Sequence, residues 1–413
     1  MDGRRVYESS RGGMSALEAH ARVRARCLLG LVALCYGIAT LGSRDVLTNP
    51  MREWHRAHAG SSFANLGLAG AVQFPLVFAL IWLVDRTPLG GTRRRVWIII
   101  NALALAIFWF LFNPEGNGAV SSVVGLGAFL FLGNVLFAVA GGLAVDTGRG
   151  DAGTGPASAA RHLGTSAAML LAVFVRPLLQ DRAALATSRL LAGAFLFLAI
   201  AVGLVRAESA ATRASLSPSP STFRSRGFWG CVLFLVWFGA LEATSAAILH
   251  IHASGGPNPA AVQPPWLVPS LSLLCASAYL VLGRRLNAAR LPTLCLGIGA
   301  VTTTLAVASR LLPLAVAETV RGVLVGFVWI PIIDLGMRFI RRDRAAFGLW
   351  CLLAIPRLLT SPMAGLSIMF ATRSPPATSM LEFVTVGLVV IGAGAWRLSQ
   401  GAGLTRSIAE QSG

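Results

Sequence analysis

No lysine occurs anywhere in the 413 residues, and Asp and Glu together number only 17. All 35 basic side chains are therefore arginine, and the formal net charge is +18. Charged residues make up 13% of the chain, against roughly a quarter in an average soluble domain. A soluble protein of this length needs far more polar surface to cover its core. Cysteine is sparse as well. Cys27, Cys35, Cys231, Cys275, Cys295 and Cys351 form no C-x-x-C pair and lie in or beside apolar runs, which excludes a disulfide scaffold. No N-x-S/T acceptor is present. What is abundant is hydrophobic side chain, at 55%, and that excludes disorder. A membrane-spanning bundle remains. The positive charge would suggest nucleic acid in a soluble chain, but here the arginines sit between the apolar runs.

A spanning helix needs about 20 mainly apolar residues. The sequence predicts twelve such segments, at roughly 27–44, 63–84, 95–112, 120–145, 162–180, 186–205, 227–250, 265–283, 291–310, 312–337, 345–371 and 379–397. They are too long and too evenly apolar for barrel strands, which alternate over about ten residues. Backbone in lipid must satisfy its own polar groups, so these runs are read as helices. The first run follows Arg22, Arg24 and Arg26 and ends at Arg44 and Asp45 with no small-x-small pattern. It is read as an uncleaved first helix.

Arginine should concentrate on the cytoplasmic side. Twelve spans put both termini on one face. That face receives 25 of the 35 arginines, the opposite face receives 8, and Arg321 and Arg357 fall within spans. The expected protein is a multi-pass monomer of the plasma (inner) membrane with both termini cytoplasmic. Its excess charge touches anionic lipid rather than nucleic acid.

Residues 206–226 contain Ser-Leu-Ser-Pro-Ser-Pro-Ser-Thr, a linker composition. The predicted organisation is a cytoplasmic tail (1–26), a six-helix half (27–205), this linker, a second six-helix half (227–397) and a C-terminal tail (398–413). The halves share an ordered set of features. Arg26 and Gly30 open the first helix as Arg226 and Gly230 open the seventh. Arginines follow the second and eighth, and the fourth and tenth end in Asp146-Thr-Gly148-Arg149 and Asp334-Leu-Gly336-Met-Arg338. Parallel six-helix repeats with a site between them are one architecture of secondary transporters.

The stretch Asp85-Arg86-Thr-Pro-Leu-Gly90-Gly91-Thr-Arg93-Arg94-Arg95 resembles the Asp-Arg and arginine-cluster motif of the major facilitator superfamily, found between helices 2 and 3. The leading glycine of that motif is absent, and the loop is longer. The Asp-x-x-Pro-x-x-Gly-x-x-Arg-Arg form looks like the folate–biopterin transporter branch and its relatives in light-harvesting assembly. The resemblance implies an all-helical fold of two six-helix repeats and a uniporter or ion-coupled carrier, with no cofactor.

Several charged residues are candidates for a mechanism. Asp85, Arg86, Arg93, Arg94 and Arg95 fall where helices 2 and 3 meet. Asp85 can accept from an arginine and from helix-terminal N–H groups and so latch the halves in one state. The plain alternative is topogenic arginine beside a capping aspartate. Asp146, Arg149, Asp334 and Arg338 are the matching gate residues on the fourth and tenth helices, or ordinary loop charge. Glu242 lies about 15 residues into the seventh span, near mid-bilayer, where a carboxylate must be protonated, paired or wet. It is a candidate for proton coupling, as is Glu318, against a purely structural hydrogen bond. Glu318 and Arg321 are three apart and share a helix face. Arg321 and Arg357, the latter beside Pro356, are candidates to contact an anionic substrate, against pairing with a carboxylate of the chain.

Other patterns carry no chemistry. Gly148-Arg-Gly150-Asp-Ala-Gly153 has glycine spacing like a nucleotide loop but no βαβ unit around it. No His, Cys and carboxylate cluster has metal spacing, and no Ser–His–Asp arrangement supports an enzyme. The expected function is alternating-access transport of a small polar or anionic organic solute, with proton coupling as an open element. The alternatives are a non-transporting assembly factor on the same fold and an efflux pump for lipophilic compounds.

Overall fold

The computed structural model describes residues 16–43, 75–86, 93–112, 119–148, 154–180, 184–205, 225–255, 266–282, 297, 301, 304, 314–340, 344–356, 359 and 384–392. All regular structure among them is helical. In chain order the helices are α1 (Ala16–Ser43), α2 (75–86), α3 (Arg93–Leu111), α4 (Ala119–Gly148), α5 (Gly155–Gln180), α6 (Ala184–Leu204), α7 (Arg226–Gly255), α8 (Leu267–Leu282), α9 (Leu314–Arg338), α10 (Ala345–Pro356) and α11 (384–392). The isolated helical positions Gly297, Val301 and Thr304 fall in the ninth predicted span.

Two starts differ from the sequence expectation. Helix α1 begins at Ala16 and carries Arg24 and Arg26 within its own first turns, so the apolar run is only part of a longer helix. Helix α5 begins at Gly155, seven residues before the predicted 162. Its first turns are rich in alanine and hold Arg161, so hydropathy alone does not mark them. Arg161, grouped by sequence with the loop arginines, lies instead within α5, its guanidinium 4.8 Å from the Phe137 ring of α4.

The helices meet through small residues. The carbonyl of Gly30 on α1 lies where a Cβ on Gly164 of α5 would sit, and Ala33 Cβ would be 2.9 Å from that atom. Two turns further along, a Cβ on Gly37 would be 2.6 Å from Ala168 Cβ. Such close backbone approach is how helices associate where lipid removes the hydrophobic drive between them. A buried aromatic cluster joins α1, α3 and α4. Tyr36 stacks on Phe129 at 5.6 Å, and Trp109 meets Phe129 edge-on at 5.3 Å.

Helix ends are tied by side chains. Arg95 in the first turn of α3 donates from Nε to the carbonyl of Val202 at 2.9 Å and from its guanidinium to that of Gly203. A cation there satisfies the open carbonyls at the end of α6 and complements its dipole. Ser188 of α6 donates to the carbonyl of Trp109 and, at 3.3 Å, to that of Phe112.

The outer surface is apolar. Leu111, Phe174, Phe197, Leu204, Leu233 and Val281 are all strongly exposed. Among the described residues, five helices are long and apolar enough to cross a bilayer by length and composition. A water-facing surface of this kind would associate; facing lipid it is at rest. This is a multi-pass, all-helical membrane protein.

Candidate functional site: two clasps at the arginine-rich end

The first clasp is built on Asp85, in the last turn of α2. Its carboxylate accepts from Arg94 Nη1 at 2.8 Å and from the backbone N–H of Phe347 at 2.8 Å and of Ala346 at 3.4 Å. Both ions are almost fully buried, with side-chain exposures of 3% and 1%. Ala346 and Phe347 open α10. The first N–H groups of a helix have no partner within it, and the helix dipole favours negative charge there. Asp85 thus holds together an arginine from α3 and a helix start more than 250 residues away. Phe78, two turns earlier on α2, packs edge-on against Phe347 at 4.6 Å.

Glycine makes room for this clasp. A Cβ on Gly142 of α4 would stand 2.5 Å from Arg94 Nη1 and 2.8 Å from the Ala346 nitrogen. A Cβ on Gly141 would meet Leu349. The Gly-Gly pair lets α10 and the guanidinium sit directly on the α4 backbone.

The second clasp reverses the direction. Asp334, fully buried near the end of α9, reaches the start of α5. The Thr154 hydroxyl donates to its carboxylate and lies 3.0 Å from its main-chain carbonyl. Tyr279 of α8 donates to Oδ2 at 3.0 Å, and Arg338, one turn along α9, donates to the same oxygen at 3.1 Å. Thr154 precedes α5 as its cap, its carbonyl accepting from Ala157 and Ser158 at 3.0 and 3.1 Å. A Cβ on Gly155 would be 3.0 Å from Asp334 Oδ2. Ser158 then donates to the Ile330 carbonyl at 2.8 Å. Ala159, Ala276, Tyr279 and Ile330 close over this point as a small apolar cluster, with Leu163 against it.

The two clasps are related. In each, an aspartate from one set of helices is held by an arginine of that same set and seated on a helix start of the other: α10 for Asp85, α5 for Asp334. Each aspartate is buried and paired with its arginine, Arg94 buried as well and Arg338 part-exposed, and both clasps sit at the end where the arginines collect.

The remaining predicted residues fall elsewhere. Arg86 is exposed and stacks on Trp82 of its own helix, 3.8 Å from the ring centroid. Arg95 ties α3 to α6, so neither faces the clasp carboxylate in the way Arg94 does. Glu242 is half-buried on α7 and accepts from Trp329 Nε1 of α9 at 3.0 Å, with Phe238 edge-on to the same indole at 6.1 Å. Arg93, Asp146, Glu318 and Arg321 lie on helices, but their side chains are outside the described residues; Arg149 and Arg357 are outside altogether. The predicted Glu318–Arg321 pair and the contacts of Arg357 therefore have no geometry here.

Sequence reasoning passed over Thr154, Tyr279 and the Gly141–Gly142 pair. A signal existed for the first: Thr154-Gly-Pro156 is a helix-start pattern of cap followed by early proline. Tyr279, one of only three tyrosines in the chain, is a phenol within an apolar span and so needs a partner when buried.

No protein-family model matches the sequence, and no curated protein matches it. Solved structures do match in shape. The human organic anion transporter MFSD10 (TETRAN) aligns with a TM-score of 0.64 at 14% identity, covering 91% of this chain and 98% of that one. FucP, a major facilitator superfamily transporter solved in the outward conformation, gives 0.60 at 13% identity over 90% and 97%. The nucleoside transporter NupG gives 0.57 at 13% over 92% and 99%. Identities this low speak to shape alone, and over nine-tenths of its length the chain has the shape of the major facilitator superfamily fold.

Proposed function

We propose that the protein is a secondary transporter that moves a small solute by alternating access between two six-helix halves, twelve spans in all, with both termini in the cytoplasm of a cell bounded by this membrane. The observation that carries the reading is the Asp85 clasp. A buried carboxylate seated on the first N–H groups of α10 is strong while the halves touch. It is replaced by water when they part, so it can close one end reversibly. Asp334 at the start of α5 doubles the closure.

The substrate in this proposal is a polar or anionic organic solute. Arg321 and Arg357, within spans, supply positive charge for it, and two of the similar structures are transporters of organic anions and of nucleosides. Nothing favours the folate–biopterin branch over other carriers of this shape. Glu242, held by Trp329, is the proposed proton-coupling residue.

A ligand screen of purified protein against organic anions, nucleosides and sugars tests the substrate class. A saturable rise in Tm with one class identifies it. With that solute in hand, Glu242→Gln should abolish gradient-driven accumulation yet leave exchange of solute across the membrane. Normal accumulation by Glu242→Gln would assign the residue to a structural hydrogen bond.

A further inference from the structure

From its cap onward, α5 carries a polar residue at every fourth position: Thr154, Ser158, His162 and Ser166. Residues four apart share a helix face, and this face is the one that meets the other half. Each member bonds across the seam. Thr154 reaches Asp334, and Ser158 reaches the Ile330 carbonyl. His162 Nε2 is 3.0 Å from the Ser272 hydroxyl of α8, and the Ser166 hydroxyl is 2.9 Å from the same oxygen. The stripe then stops, and position 170 is leucine. Ser166 is eleven residues past the start of α5, so about 16 Å along it, near the middle of a hydrocarbon core of about 30 Å.

Burial along this face changes at His162. Thr154 and Ser158 are buried, whereas His162 and its partner Ser272 are only half-buried. Met169, seven residues past His162 and so on the same face, is 45% exposed. The seam is thus filled beside the clasps and uncovered further along, and the imidazole and the Ser272 hydroxyl lie where it opens, one group from each half. Ser166, buried behind them, fixes Ser272. A bond between two neutral groups adds only about 0.5–1.5 kcal/mol, so it is readily exchanged for another of its kind. A hydroxyl bonded to both groups would span about 4.5 Å between them. His162 and Ser272 need then part by only about 1.5 Å to admit one. A hydroxyl both donates and accepts, so it fits this gap with either neutral tautomer of the ring; a carboxylate only accepts and fits just one.

We propose that His162 and Ser272 form a binding site for a hydroxyl group of the solute, which bridges the imidazole of one half and the serine of the other. Ser166 is a positioning residue for Ser272. The inference rests on the transport reading and narrows its solute to one that carries a hydroxyl. A solute lacking that hydroxyl would part the two groups and pair neither, and a site built to bond a hydroxyl rejects such an analogue for this reason.

Equilibrium binding to the purified full-length protein tests this with matched pairs of probes: uridine and its dideoxy form, glucose and its deoxy form, hydroxybutyrate and butyrate. In at least one pair the parent protein should bind the hydroxylated member about tenfold more tightly or better. Ser272→Ala and His162→Phe should each reduce that preference to within about twofold, because each removes one partner of the bridging hydroxyl. His162→Gln, which keeps a neutral donor and acceptor, should retain most of it. A purely structural role for these residues would alter stability and leave the preference between paired probes unchanged. No preference for the hydroxylated member of any pair, absence of binding included, overturns the proposal, and so does a preference that persists in Ser272→Ala or in His162→Phe. Failure of the transport reading is visible separately. A protein that shows this discrimination but gives no solute counterflow loses the transport reading and keeps the hydroxyl site; a working transporter that carries both members of a pair equally, with or without Ser272, does the reverse.

Discussion

Replacing Asp85 by Asn removes one charge from a nearly isosteric side chain, and the contacts around it fix the consequence. In the closed seam the carboxylate accepts from Arg94, Ala346 and Phe347. The amide keeps one oxygen acceptor and turns an NH2 toward groups that only donate. Arg94, 1% exposed, loses its counter-charge while it remains buried. Breaking one partner out of a buried pair costs about 3–5 kcal/mol, and each charged hydrogen bond that becomes neutral or vanishes costs about 1 kcal/mol or more. Part of this cost is common to both states, because Asp85 and Arg94 belong to the same half. When the halves separate, water reaches Arg94 and the penalty falls away. The net effect on the closed state relative to the open one is then about 2–4 kcal/mol. At about 1.4 kcal/mol per decade, the open population rises by roughly thirty- to several-hundredfold. Ser158, 1% exposed and bonded across the seam to Ile330, reports on this. Ser158→Cys in a background without other cysteines should react slowly with a membrane-impermeant maleimide in inside-out vesicles. Adding Asp85→Asn should speed that reaction by a factor approaching the population change. A rate within twofold of the parent, in a protein of normal abundance and monodispersity, would refute the clasp and return Asp85 to a simple helix cap.

Three further outcomes are expected. Thr154→Val deletes the donor that reaches buried Asp334 from α5 and should raise Ser158→Cys labelling about tenfold or more, the equivalent of about 1.5–3 kcal/mol for a hydrogen bond to a charged group, without lowering protein abundance. Gly164→Val places a side chain where the Gly30 carbonyl stands and should lower Tm in detergent markedly, since overpacking typically costs about 1–3 kcal/mol. A cysteine introduced within 207–225 should be labelled in inside-out vesicles and stay unreactive in intact cells; labelling from outside would invert the topology.

The apolar runs are legible in the sequence because length and uniform hydropathy are enough to mark a spanning helix, and most helix cores fall where hydropathy puts them. The boundaries are less so. The first turns of α5 are alanine-rich and polar, so hydropathy places the start at 162, while the capping pattern at Thr154-Gly-Pro156 marks the true one. Asp85 is legible from its spacing to the arginines, but the choice among three consecutive arginines is not. In a helix, successive residues point about 100° apart, so Arg94 reaches Asp85 while Arg95 turns to the end of α6. Tyr279 and Thr154 become visible only once α8 and α5 are placed side by side, because contacts across the seam join positions far apart in the chain. His162 is hidden for the same reason: its partner Ser272 is 110 residues away.

Solute counterflow in proteoliposomes tests the central claim most directly. Purified protein is reconstituted, loaded in turn with unlabelled organic anions, nucleosides and sugars, and diluted into the matching labelled solute. The account predicts transient accumulation of at least one class by the parent protein, saturable with concentration, and a changed rate for Asp85→Asn reconstituted at equal density. No counterflow for any class, together with a seam that stays closed to Ser158→Cys labelling in both proteins, would contradict it and favour a static assembly factor on the same fold.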